Sequence, residues 1–276
     1  MTDEIVVKPA AGKHAIEVMA LAVEWVRPVS DEVMAEIDGL YNSSSFLKSF
    51  LPKSEHLKGY QVRIGDDGPA VNTAVSGGLQ WSRNSDDGAV TWIVHIRPDL
   101  ISCSCLDYDR WDTTKARVLE ILLPIINLIT SKGYAIQATG VQYQDAFVVE
   151  TDSAKLSTRR LFQEDSVWLS PRILTEDGPW HIHQGWFSSE PEGSAIHNVL
   201  NVDLTLDPAT TRCIIRINGQ HRMLTTDKQG VNSLPIQSSD VPSALDALHI
   251  QNKKVLSQLL AHGVCDQIGL KFEEKL

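Results

Sequence analysis

Long apolar runs are missing from this chain of 276 residues. The longest spans 121–126 and holds Pro124, whereas a membrane-spanning helix needs about 20 apolar residues. A chain that folds in water is the expectation. Cysteine is scarce, with only Cys103, Cys105, Cys213 and Cys265. The opening MTDEIVVKPA has no basic stretch followed by an apolar one. No secretory leader is therefore expected, and the thiols are expected free in a reducing cytoplasm. Basic residues are in deficit too: 25 Lys and Arg face 35 Asp and Glu, a net charge of −10. That argues against a general nucleic-acid coat, because phosphate binding needs clustered Lys and Arg. A local patch stays open, but Arg159 and Arg160 near Lys155 are too few to claim one. Glycine (17) and proline (12) are too sparse for collagen or a low-complexity tail.

The short catalytic signatures are missing as well. No phosphate-cradling G-x-x-x-x-G-K-[ST] loop, G-x-G-x-x-G turn or G-x-S-x-G elbow occurs. Neither H-E-x-x-H nor paired C-x-x-C is present.

Patterning is what the chain has. Residues 20–26 read as a buried strand and 31–41 as an amphipathic helix opened by Ser30. Strands follow at 60–64, 70–75 and 79–83, with Gly77 and Gly78 between the latter pair. The strongest pair is 90–96 with 100–108, joined through Arg97-Pro98-Asp99. A helix over about 113–130 carries Pro124, which should kink or split it. Residues 134–149 read as one long strand or two. The second block alternates at 180–188, 199–206 and 212–224. A polar loop at 225–242 then leads to a helix over 244–262, with Ser243 and Asp246 as its capping signature. The grammar of strand, proline turn, strand and long helix occurs twice. An antiparallel sheet has one face to hide, and one apolar helix hides it. The fold expected is therefore α+β in two halves, 1–150 and 180–276, each an antiparallel sheet covered by a long helix. Residues 151–179 form a connector whose Leu161, Phe162, Val167, Trp168 and Leu169 should pack.

Several landmarks lie across most of the chain: VMALAVEWVRP, WIVHIRPDLISCSCLDYDRW, IQATGVQYQDAF and ALDALHIQNKKVLSQLL. With Glu24 in an apolar strand, and Leu245, Asp246, Leu248 and His249 in the last helix, the chain resembles a sporadically distributed, uncharacterised family of bacterial proteins. That resemblance implies an accessory gene of the kind found with defence or toxin–antitoxin loci. It implies no activity and no catalytic residues.

Candidate sites are few. His181 and His183 lie two apart on one strand face; with His197 and His221 they would suit a transition metal if the strands converged. The plainer reading, a solvated face, is preferred, so no metal and no cofactor are expected. Cys103 and Cys105 share a strand face as small apolar residues. The densest polar cluster is the strand-to-helix corner with Asp107, Asp109, Arg110 and Trp111, either a helix cap or a recognition corner. His249 is expected to pair with Asp246 one helical turn away.

Three functions compete. Binding of a protein partner without turnover is preferred; the partner would be a basic effector or toxin that the chain scaffolds or neutralises, and a homo-oligomer would suit the repeated plan. The second is a metal-dependent hydrolase or nuclease built on the four histidines. The third is a nucleic-acid or nucleotide module using Trp81, Trp92 and Trp111.

Overall fold

Alternation of apolar and polar residues dominates the chain, and it resolves into one sheet. The computed structural model describes residues 7–10, 14–65, 68–149, 154–189, 194–206, 212–225 and 236–270. Its strands are β1 (Val7–Pro9), β2 (Ile16–Trp25), β3 (Lys53–Gly65), β4 (Gly68–Asn84), β5 (Val90–Ile96), β6 (Leu100–Cys105), β7 (Ile136–Val149), β8 (Trp180–Ser189), β9 (Ala195–Leu206) and β10 (Cys213–Leu224). The helices are α1 (Asp31–Ser43), α2 (Ser45–Phe50), α3 (Trp111–Ser131), α4 (Ala154–Leu161), α5 (Val241–Leu259) and α6 (His262–Gln267). The strand order is β3-β4-β5-β6-β2-β7-β10-β9-β8, with β1 also on β7, and each of these pairings is antiparallel.

The two separate sheets expected above are thus one. β2 pairs with β6 and β7 with β10, and β2 and β7 also pair with each other, Leu21 opposite Val141. Two sheets would each present an edge of unpaired N–H and C=O groups, and edge-to-edge pairing satisfies both.

One face of this sheet is apolar. Met19, Leu21, Val23 and Trp25 of β2 are buried, and β10 alternates strictly from buried Cys213 to buried Met223. The helices cover this face. Ile37 and Tyr41 of α1, Ile121, Ile125 and Ile129 of α3, and Leu245 and Leu248 of α5 share one core with β2 and β6. Val255 and Leu259 of α5 join a second core with Phe147, Val202 and Ile215. Each such side chain stabilises the fold by about 1.5–3 kcal/mol relative to exposure.

Local expectations fare unevenly. Gly77 and Gly78 do not separate neighbouring strands; they sit inside β4, where the pairing with β3 skips from Leu57↔Gly78 to Lys58↔Ser76. The extra residue is a bulge. Nor does Pro124 split α3, which runs from Trp111 to Ser131. It stands on the exposed side, where water can serve the carbonyl its missing N–H leaves free. Pro124→Ala should therefore raise the unfolding free energy by about 2 kcal/mol, read from the urea midpoint at unchanged slope. In the connector, Leu161, Phe162 and Leu169 are buried, but Val167 is 76% exposed. Of the polar loop, residues 226–235 lie outside the described residues. α5 starts at Val241, ahead of Ser243, whose hydroxyl donates back to the Asp240 carbonyl. The capping-box pair belongs to the short turn before it, between Gln237 and Asp240.

Candidate functional site

Strand alternation puts every second residue on the side away from the helices. No described helix lies there. At the centre, β2 contributes Ala20, Ala22 and Glu24, and β6 contributes Ser102 and Ser104. From β7 and β10 come Gly140, Gln142, Gln220 and Arg222. The side chains at the middle are so small that they leave a shallow hollow of about 310 Å³.

Charge on this face is arranged in pairs that cross strands. Arg222 of β10 is opposite Gly140 of β7, which is opposite Ala22 of β2. The Arg222 guanidinium reaches over β7 and donates to Glu24. Gly140 permits the crossing: a Cβ there would lie 3.2 Å from Arg222 Cγ and 3.4 Å from the His221 carbonyl oxygen. Among the described residues, no group meets the buried Arg222 Nε–H. A parallel arrangement joins Arg216 to Glu17 at 3.6 Å, with Gln144 donating to the same carboxylate at 2.9 Å. Further out, His95 Nε2 lies 3.0 Å from Gln80 Oε1.

The four histidines do not converge. His181 and His183 are exposed on β8, beside Asp203 (2.5 Å) and Asn201 of β9. His197 stacks with Phe187 on that same side, opposite it in register. His221 faces the helices and is fully buried, because β10 buries its odd-numbered residues. Among the described residues, no three His, Cys, Asp or Glu side chains are placed to hold a metal ion.

His221 instead joins β10, β9 and α5. Nδ1 lies 2.8 Å from Asn198 Oδ1 and Nε2 3.1 Å from the Asn252 amide. Asn198 commits its amide nitrogen to Ser188 and Ile196. A neutral ring has one donor and one acceptor, so of the two amide oxygens facing it, Asn198 Oδ1 and Asn252 Oδ1, it donates to only one. Gly219 makes the room, since a Cβ there would meet Asn252 at 2.6 Å. Burial pushes the His221 pKa down to about 4. Its folded value is below its unfolded one, so the unfolded chain takes up a proton first on acidification. Stability from this group is complete above about pH 6.5 and falls by about 1.4 kcal/mol per unit between there and about pH 4. His221→Gln should flatten that region of the stability–pH curve, as measured by denaturant unfolding across the range.

The strand-to-helix corner does more than cap a helix. Arg110 is the extended residue ahead of α3. The Trp111 indole N–H donates to Asp246 at 2.9 Å, and Lys115 holds both oxygens of Asp246 at 2.7 Å. The expected Asp246–His249 pair therefore does not form. The His249 ring lies flat on Trp111, with centroids 4.2 Å apart and planes at 9°, and Nδ1 meets the Tyr143 hydroxyl at 2.8 Å. Asp109, Arg110 and Trp111 line a cavity with Tyr108 and Asp145, whereas Asp107 stands outside it, exposed.

No protein-family model and no curated protein matches this sequence. The resemblance drawn from Glu24 and the last helix therefore brings no activity with it, and any functional reading rests on the side chains themselves.

The remaining candidates are structural. Cys103 and Cys105 are buried and free; burial pushes both thiols up, Cys105 to about 11, away from nucleophilic thiolate. Trp81 is fully buried and stacked on Tyr41 at 4.9 Å, Trp92 packs edge-on against Phe50, and Trp111 is covered by His249. They form no shared platform for bases. Two features escaped the sequence reading: the Arg222–Gly140–Glu24 crossing and buried Asp145. Glu24 has the opposite parity to Leu21, Val23 and Trp25, which is the signal that it faces the open side.

Proposed function

We propose that this chain works by holding a protein partner on the uncovered face of its sheet, without turnover of its own. One observation supports this reading above the others: the described helices all serve one side of a ten-stranded sheet, and the other side is left uncovered, with small side chains at its middle. Antiparallel sheets often leave one face to water. Here the middle of that face is kept low by alanine, serine and glycine beside the Arg222–Glu24 pair. A partner's convex surface fits such a hollow. The net charge of −10 favours encounter with a basic surface. In the same proposal the chain is two joined halves, with α3 over the strands of one and α5 reaching from that core onto the strands of the other. Its setting is the accessory system that the resemblance implies, where it scaffolds or neutralises an effector in the cytoplasm. The experiment is capture of the partner by the tagged chain and by Ala22→Arg, which fills the hollow without touching the core.

A further inference from the structure

On the helix side, where the start of α3, the middle of α5 and β7 meet, lies a separate cavity of about 400 Å³. Pockets of this size hold small organic molecules. Its floor carries Asp145, 3% exposed. Among the described residues, no hydrogen bond or ion pair reaches that carboxyl. Of the donors nearby, the Tyr143 hydroxyl meets His249 and the Trp111 N–H goes to Asp246. A buried acceptor without a donor is costly, and a ligand that supplies one recovers that cost.

The walls narrow the class of ligand. Tyr108 brings an aromatic ring to the lining, and such rings attract cations. Asp109 and Asp112 offset Arg110 and Lys253 in charge, leaving Asp145 as the surplus acid of the lining. One buried carboxyl is not a metal site, and no metal-holding group of three occurs among the described residues. We infer that this cavity binds a small organic cation bearing N–H donors, a primary ammonium or a guanidinium, with Asp145 as the acceptor. The site lies on the opposite side of the sheet from the proposed docking face and does not depend on it.

The acid–base behaviour follows. Burial, with the Glu17 carboxylate adding to it, pushes the Asp145 pKa up to about 7. Below that the site holds a neutral acid, and above it a carboxylate. The other titratable and charged groups around it are Tyr143 on β7, Tyr108, Asp109 and Arg110 before α3, Asp112 on α3, His249 and Lys253 on α5, and His14 ahead of β2. Burial holds His249 down at about 4, so it stays neutral across this range.

The test is isothermal titration of the full chain with phenethylamine and with agmatine. Trimethylphenethylammonium keeps the charge and ring but has no N–H, and phenethyl alcohol has no charge. One of the two N–H cations should bind one to one, more tightly than either control by about tenfold or more. Its affinity should rise about tenfold from pH 6 to pH 8, following ionisation of the acid. Asp145→Asn, confirmed folded by its melting transition, should lose both the binding and the slope, while Asp203→Asn on the open face changes neither. The pH slope of the parent chain tests the assignment even if the Asn variant does not fold. Absence of saturable binding by both cations overturns the inference. So does equal binding by the trimethyl compound, a flat pH profile, or unchanged affinity in folded Asp145→Asn.

Discussion

Gly78→Ala should lose at least about 4 kcal/mol of stability, a large share of what keeps a chain of this size folded. Two separate demands meet at this residue. Its φ is +112°, a conformation that L side chains rarely adopt. A Cβ there would also lie 2.1 Å from the Ile96 carbonyl oxygen, and that oxygen belongs to the backbone of β5. A flexible side chain could move aside; a strand in the middle of a sheet cannot do so without shifting its neighbours. Leu79 and Ile96, both buried, face each other one residue on. Pushing β5 away would open the core beneath them. Circular dichroism with urea unfolding should show the loss. Gly88→Ala in the exposed hairpin should lose far less: its φ of +90° is strained for alanine, but nothing lies within 4 Å of it.

Ala22→Arg should weaken partner binding by about 100-fold or more, roughly 2.7 kcal/mol, while the melting temperature stays within a few degrees of the parent. Ala22 lies at the bottom of the hollow, half-buried only because the sheet itself shields it. A long cation there fills the space a partner would enter and sets a second positive charge beside Arg222. No core contact is lost, because the core residues of β2 are its odd-numbered neighbours. Lys254→Glu on the exposed side of α5 changes charge by two on the helix side and should leave binding unaltered.

The strands were legible because alternation is a local property. β10 reads straight from the sequence, as do the long helices α3 and α5 from their apolar stripes. How the strands join was not legible. The β2–β7 pairing links segments more than a hundred residues apart, and nothing local in VMALAVEW says that its second edge meets IQATGVQYQ. The glycine pair misled for a physical reason: a bulge and a turn both need glycine, and only the partner strand tells them apart. For the sites, parity held more than was taken from it. His221 has the parity of buried Cys213, Ile215 and Ile217, so it could not share a face with a solvated His181. Asp145 has the parity of Val141 and Phe147, which places a carboxyl among core residues. The His249 stack on Trp111 was beyond reach, since it depends on how α3 and α5 lie together.

Carboxylate labelling of the isolated complex tests the central claim most directly. Carbodiimide-coupled glycine ethyl ester modifies accessible Asp and Glu side chains, and mass spectrometry reads each position in the free and the bound chain. With a partner on the uncovered face, labelling of Glu17, Glu24 and Asp203 should fall sharply in the complex, while Glu32 and Glu36 on α1 label as before. Protection of the α1 acids with Glu17 and Glu24 unchanged would place the partner on the helices and contradict the account.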